Sequence, residues 1–146
     1  MTPSAGAFVG REHQLAVRVY YEDTDFSGVV YHANYLRFFE RGRTDALRLA
    51  GVHHTELLAD QAAFVVRRME IDYLRSAKVD DALLVRSLFD EMRGARMVIN
   101  QKIERGGEVL ATAHIHAALT GLDGRPRRFT PAMVASLSAF LPGALP

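Results

Sequence analysis

Cysteine is absent from this chain, so disulfides, thiolate metal sites and a cysteine nucleophile are excluded together, and the composition suits a reducing compartment. An excess of charge of one sign is also missing. The formal net charge of +1 gives no reason to invoke nucleic acid or an acidic membrane as a partner. No stretch approaches the roughly 20 apolar residues of a membrane-spanning helix, and the opening MTPSAGAFVGREHQ has neither the basic start nor the apolar centre of a secretory signal. A cytoplasmic, unprocessed protein with no membrane span is expected.

What is present is ordinary for a soluble globular protein: 49% of the residues are hydrophobic and 24% charged. A chain of 146 residues is most simply one domain, burying roughly two thirds of its unfolded surface. The small, aperiodic residues 1–13 read as a mobile arm, residues 14–140 as the domain, and 141–146 as a loose tail.

The organising stretch is Tyr20 to Gly51, YYEDTDFSGVVYHANYLRFFERGRTDALRLAG. It ends an apolar strand, Leu15 to Tyr21, in an acidic loop and then starts the one long helix. From Asn34 onward, Tyr35, Leu36, Phe39, Ala46, Leu47 and Ala50 recur at the spacing of one helical face, while Arg37, Arg41, Thr44 and Arg48 fall on another. Gly42 lies inside the apolar sector, where it costs roughly 1 kcal/mol against Ala, so a close approach of neighbouring backbone is expected there. Gly51 reads as the stop.

Beyond residue 60 the period changes to two. Phe64 to Leu74, Ala82 to Met92, Arg96 to Arg105 and Val109 to Leu122 read as strands. Their joins are short and include the turns Arg93-Gly94-Ala95 and Arg105-Gly106-Gly107-Glu108, so successive strands are antiparallel. Thr130 and Pro131 signal a short C-terminal helix to about Phe140. The fold class is α+β, with five antiparallel strands and one long helix lying on them.

The loop before the helix carries Asp23, Thr24, Asp25, Ser27 and Gly28 and leads to a helix N-terminus. Such an end presents about four N–H groups without intrahelical partners, which suits the oxyanion of an acyl transfer. A carboxylate beside an oxyanion donor is a hydrolase constellation. An acidic loop that merely turns and caps the chain is the competing reading. Asn34 is most simply the N-cap. His114 and His116 share a strand face, but no third ligand stands at a recognisable spacing, so no metal is expected.

The run Asp-Thr-Asp-Phe-Ser-Gly-Val-Val-Tyr-His-Ala-Asn-Tyr-Leu, residues 23–36, resembles the signature of hotdog-fold acyl-CoA thioesterases of the 4-hydroxybenzoyl-CoA thioesterase type, especially the Tol-Pal-associated branch. The resemblance implies a sheet curled around the central helix and hydrolysis of an acyl-CoA to free acid and coenzyme A, with no other cofactor. It implies Asp25 as catalytic nucleophile or general base, and a backbone N–H near His32 as the oxyanion donor. Gly28, Tyr31, Asn34 and Phe64 become candidate substrate contacts. Arg93 and Arg96, flanking the Gly94-Ala95 turn, become candidates for the coenzyme A phosphates, with Arg125, Arg127 and Arg128 as a competing patch. A homodimer or homotetramer is implied, and acyl carrier protein is a further candidate partner. The alternative is a non-catalytic acyl-CoA or acyl carrier protein binding module of the same fold.

Overall fold

The computed structural model describes residues 1–143; the end of the expected tail, residues 144–146, lies outside the described residues. The long helix α1 spans Asn34–Leu49. It buries Tyr35, Phe38, Phe39, Gly42, Ala46 and Leu47 against the sheet, at the spacing that makes one continuous stripe. Leu36, expected inward, is instead partly exposed, and Phe38 takes the inner position.

Six strands, not five, form the sheet: β1 Ala7–Val9, β2 Glu12–Arg18, β3 Ala62–Tyr73, β4 Ala82–Arg93, β5 Arg96–Arg105 and β6 Glu108–Gly121, in the order β1-β2-β4-β5-β6-β3. Each neighbouring pair is antiparallel. The added strand β1 comes from the stretch expected to be a mobile arm. Three residues carry no readable period, and tertiary bonds hold them: Asp45 Oδ2 accepts from the N–H of Gly6 at 2.9 Å and lies 2.7 Å from Nε2 of the buried His13. Phe8 stacks on Phe140 with ring centres 3.7 Å apart. Strand β2 stops at Arg18, before the expected Tyr21, because Tyr21–Asp23 closes a single 3₁₀ turn.

At Gly42 the sheet comes close to α1, through side chains of β4 and β5 rather than the expected neighbouring backbone. A Cβ there would lie 2.7 Å from Cγ1 of Val85 and 3.2 Å from Nε2 of Gln101, below normal contact for packed atoms. Gln101 fixes this contact from the other side, donating to the Phe39 carbonyl and to Ser87 Oγ, at 2.9 and 2.8 Å. A short helix α2, His54–Ala59, follows α1, and α3, Pro131–Ser138, closes the described chain. Thr130 caps α3 by accepting from the Met133 N–H. Among the described residues no helix is long and apolar enough to cross a membrane.

Candidate active site

The loop between β2 and α1 is tied down by Asp23, whose carboxylate is buried. One of its oxygens accepts from the Tyr20 N–H at 2.8 Å and the other from the Asn34 side-chain amide at 2.9 Å. Its own carbonyl accepts from the Tyr31 N–H at 3.0 Å. Asn34 is therefore not the N-cap. That position is Ala33, which offers no side-chain acceptor, and the Asn34 side chain turns back to the loop instead.

Asp25 stands outside this knot, exposed to solvent. Its Oδ1 accepts from both the N–H and the hydroxyl of Ser27, at 2.8 and 2.6 Å. The hydroxyl bond first, and the backbone bond next, hold the Asp25 carboxyl below the usual aspartate range, because both stabilise the charged form. Gly28, at φ +81°, closes the loop in a conformation that disfavours side-chain-bearing residues. Its N–H donates to the Asp25 carbonyl and its carbonyl accepts from Val79.

At the start of α1, Tyr31 N–H is taken by Asp23 and Asn34 N–H by the Tyr31 carbonyl. Between them, the N–H groups of His32 and Ala33 have no protein acceptor among the described residues, so the helix start keeps free donors next to the Asp25 loop. The His32 carbonyl accepts from the Tyr73 hydroxyl at 2.9 Å, which fixes the peptide's direction. The Tyr31 ring is tilted by 51° against the His32 ring, centres 4.4 Å apart, and is half exposed.

The other expected residues fall elsewhere. Phe64 lines a cavity of about 420 Å³ between α1 and β3 that Asp25 does not line. Arg93 and Arg96 line a recess of about 430 Å³ with Gly94, Ala118 and Pro126, in which Glu91 is the one acidic residue. The same recess holds Arg67, which the sequence pattern does not single out. Val66 faces Ala117 and Arg68 faces His116 across β3 and β6, leaving Arg67 as the extra residue of a bulge. The bulge lets two consecutive arginines leave the sheet on its outer side while Met69 still points in beside Ile115. Some arginines are matched with carboxylates, Arg11 with Asp90, Arg86 with Glu12 and Glu104, Arg105 with Asp81. Arg67, Arg93 and Arg96 have no such partner among the described residues. Of the competing patch, Arg127 is engaged by the Asp60 carbonyl, while the Phe129 N–H bonded to the Gly94 carbonyl sets Arg128 beside the hairpin tip.

His114 is bonded through Nδ1 to Asn100 Oδ1 at 2.6 Å. Among the described residues no group of histidine and carboxylate side chains is arranged to hold a metal ion.

The sheet and central helix agree with what comparison with known proteins shows. Residues 27–112 match the profile of the Thioesterase superfamily, and the chain belongs to that family. It is 47% identical over 107 residues to the acyl-CoA thioesterase YbgC of Haemophilus influenzae, covering 73% of this chain and 79% of that one. It is 48% identical over 87 residues to the acyl-CoA thioester hydrolase YbgC of Escherichia coli, covering 60% of this chain and 65%, just under two thirds, of the relative. The crystal structure of a probable thioesterase from Bartonella henselae superposes with a TM-score of 0.78 at 44% identity, over 82% of this chain and 99% of the other. The six-stranded sheet around α1 is a hotdog fold.

Proposed function

We propose that this chain hydrolyses acyl-CoA thioesters to a free carboxylic acid and coenzyme A, with Asp25 as the acting carboxylate. The observation that carries the proposal is the pairing of an ionised, accessible Asp25 with the unengaged N–H groups of His32 and Ala33. As general base, Asp25 takes a proton from water while the water oxygen adds to the thioester carbonyl carbon. As nucleophile, it adds directly, forms a mixed anhydride as the C–S bond breaks, and water then cleaves the anhydride. In both routes the carbonyl oxygen gains negative charge next to the helix start, and the thiolate leaves without needing the protonation an amine requires. The relatives named above as acyl-CoA thioesterases support the substrate class. The finer assignment, to the 4-hydroxybenzoyl-CoA type and its Tol-Pal-associated branch, is proposed on the run at residues 23–36.

Asp25→Asn keeps an oxygen for both Ser27 donors, so it should fold normally and lose roughly 10²- to 10⁴-fold in hydrolysis, the scale of lost acid-base help. Asp23→Asn should do the reverse. An amide there sets one of its own N–H groups against a donor, costing about 1–3 kcal/mol of stability, while the residual folded protein keeps turnover. A well-folded Asp25→Asn protein with parental turnover would end the assignment, and a parent inert toward every acyl-CoA would favour the binding-module alternative.

The recess of Arg67, Arg93 and Arg96 is the proposed seat of the coenzyme A phosphates, since guanidinium forks suit phosphate oxygens. Acyl carrier protein, whose prosthetic arm presents the same thioester, is the proposed second carrier, checked by offering its thioester in the same assay. Replacing the three arginines by Ala should raise KM more than it lowers kcat, because anchoring acts alike on ground and transition states. Added salt should weaken the parent's advantage. An unchanged KM in the triple variant would remove the phosphates from this recess.

A homodimer or homotetramer is also proposed. Strand β3 is a twelve-residue edge with Val65 and Val66 45% and 44% exposed, and a long apolar edge invites pairing with a second copy. Sedimentation at micromolar concentration should show a mass of at least two chains; a monomer alone would contradict this.

A further inference from the structure

The outer side of α1 carries charge that the rest of the fold does not answer. Ala33, Arg37, Arg41, Thr44 and Arg48 succeed one another at helical spacings of three or four residues, so they form a single ridge. Its three arginines are exposed and span about 16 Å at the ordinary rise per residue. A helix face that merely meets water tends to alternate the sign of its charges, and this ridge does not. Arg37 and Arg41 have no carboxylate partner among the described residues, and Arg48 only approaches Asp45, at 3.8 Å. Asp45 is itself buried and engaged by His13 and the Gly6 N–H. Glu40, the other acid of the helix, lines the cavity beside Arg43.

The ridge begins at the chemistry. Ala33, whose N–H is one of the two free donors at the helix start, has helical backbone angles and stands one turn before Arg37. A macromolecule held along the ridge therefore has one end within about 6 Å, measured along the axis, of that N–H. Arg41 is partly set for contact: its guanidinium lies 5.9 Å from the centre of the Phe38 ring, within cation–π range. Guanidinium forks suit carboxylates, and three of them in line match one face of an acidic helix of about three turns. They fall short of the roughly four to eight clustered cations that mark a lipid-binding helix. The net charge of +1 adds no wider field for a membrane or a nucleic acid.

We infer that the ridge of Arg37, Arg41 and Arg48 docks an acidic helix of a protein that carries the acyl group as a thioester, with the thioester arm entering at the start of α1. This rests on the thioester hydrolysis proposed above, and it gives a carrier protein its own surface, separate from the recess of Arg67, Arg93 and Arg96 assigned to coenzyme A. The three ridge arginines hold the partner and take no part in bond making. Acyl carrier protein, a small acidic protein, is the partner to offer.

The test compares kcat/KM for acyl carrier protein and coenzyme A bearing the same acyl group, from butyryl to palmitoyl, in the parent, in the triple variant Arg37→Ala, Arg41→Ala, Arg48→Ala, and in the matching triple Lys variant. At low salt the Ala variant should lose about 10- to 100-fold toward acyl carrier protein, mainly through KM, and stay within about threefold of the parent toward acyl-CoA. The Lys variant keeps the charge and should recover most of the loss, while added salt should bring the parent down toward the Ala variant. Melting temperatures confirm that both variants are folded. Turnover of acyl-CoA reports separately on the hydrolase reading. If the parent cleaves neither thioester, fluorescence anisotropy of labelled acyl carrier protein titrated with the parent and the Ala variant decides the docking alone, with tighter binding to the parent expected. Equal turnover of acyl carrier protein by parent and Ala variant, an equal loss toward acyl-CoA, or a parent that cleaves acyl-CoA but leaves acyl carrier protein intact would overturn the inference. A parent that binds phosphatidylglycerol vesicles through these arginines and does not bind acyl carrier protein would overturn it in favour of a lipid surface.

Discussion

The carboxylate of Asp23 is taken out of water where the chain passes from β2 into α1, and a buried anion needs donors. It finds them in the Tyr20 N–H and the Asn34 amide, while its carbonyl takes the Tyr31 N–H. Those bonds join both sides of the loop to the first residue of the helix, so the segment between them has little freedom. Asp25 is left projecting, with Ser27 folded back on its Oδ1. The next N–H groups along the chain, those of His32 and Ala33, are left without acceptors. Two nearby aspartates thus have opposite fates, one tied into the loop by its hydrogen bonds and the other left accessible.

The same helix is held unevenly against its sheet. At Gly42 it meets Val85, Ser87 and Gln101 on β4 and β5 within side-chain contact distance, and no larger residue fits there. Toward β3 the helix stands off, and the space becomes the cavity that Phe64 and His54 line. Gln101 serves both regions: its amide nitrogen anchors the Phe39 carbonyl and Ser87, and its oxygen holds Arg43 at the cavity wall. Close contact on one side and clearance on the other are two results of one placement.

How much of this was legible in the sequence varied with the range of the interaction. Periods and hairpin glycines are local, and the strands from β4 to β6 began and ended within a residue or two of their expected limits. The crowding at Gly42 was legible because a glycine in the apolar stripe of a helix weakens the helix and fills no space, which makes sense only where a neighbour comes close, but the neighbours are side chains of β4 and β5 and not the expected backbone. Strand β1 was not, since Ala7–Val9 is held by Asp45 and Phe140, far away in the chain. Asn34 was misplaced for the same reason: a cap is what an Asn at a helix start does locally, and the buried Asp23 offered a stronger partner. Arg67 was hidden because a bulge reverses the inside and outside of every later residue, and no alternation in residues 62–73 announces it. The run of residues 23–36 pointed to the loop as a site, while the separation of Phe64 from Asp25 is a property of the folded chain.

Catalysis by this loop requires that Asp25 be the ionised group whose charge governs turnover. The pH dependence of kcat/KM for one acyl-CoA, in the parent and in Ser27→Ala, tests this directly, because that profile reports the free enzyme. In the parent, activity should hold as pH falls and fail only below the usual aspartate range, since Ser27 stabilises the carboxylate. In Ser27→Ala the hydroxyl bond is gone, the carboxyl takes up its proton more readily, and the acid limb should move to higher pH with activity at neutral pH largely kept. An acid limb at the same pH in both proteins would contradict the assignment of that titration, and of the chemistry, to Asp25.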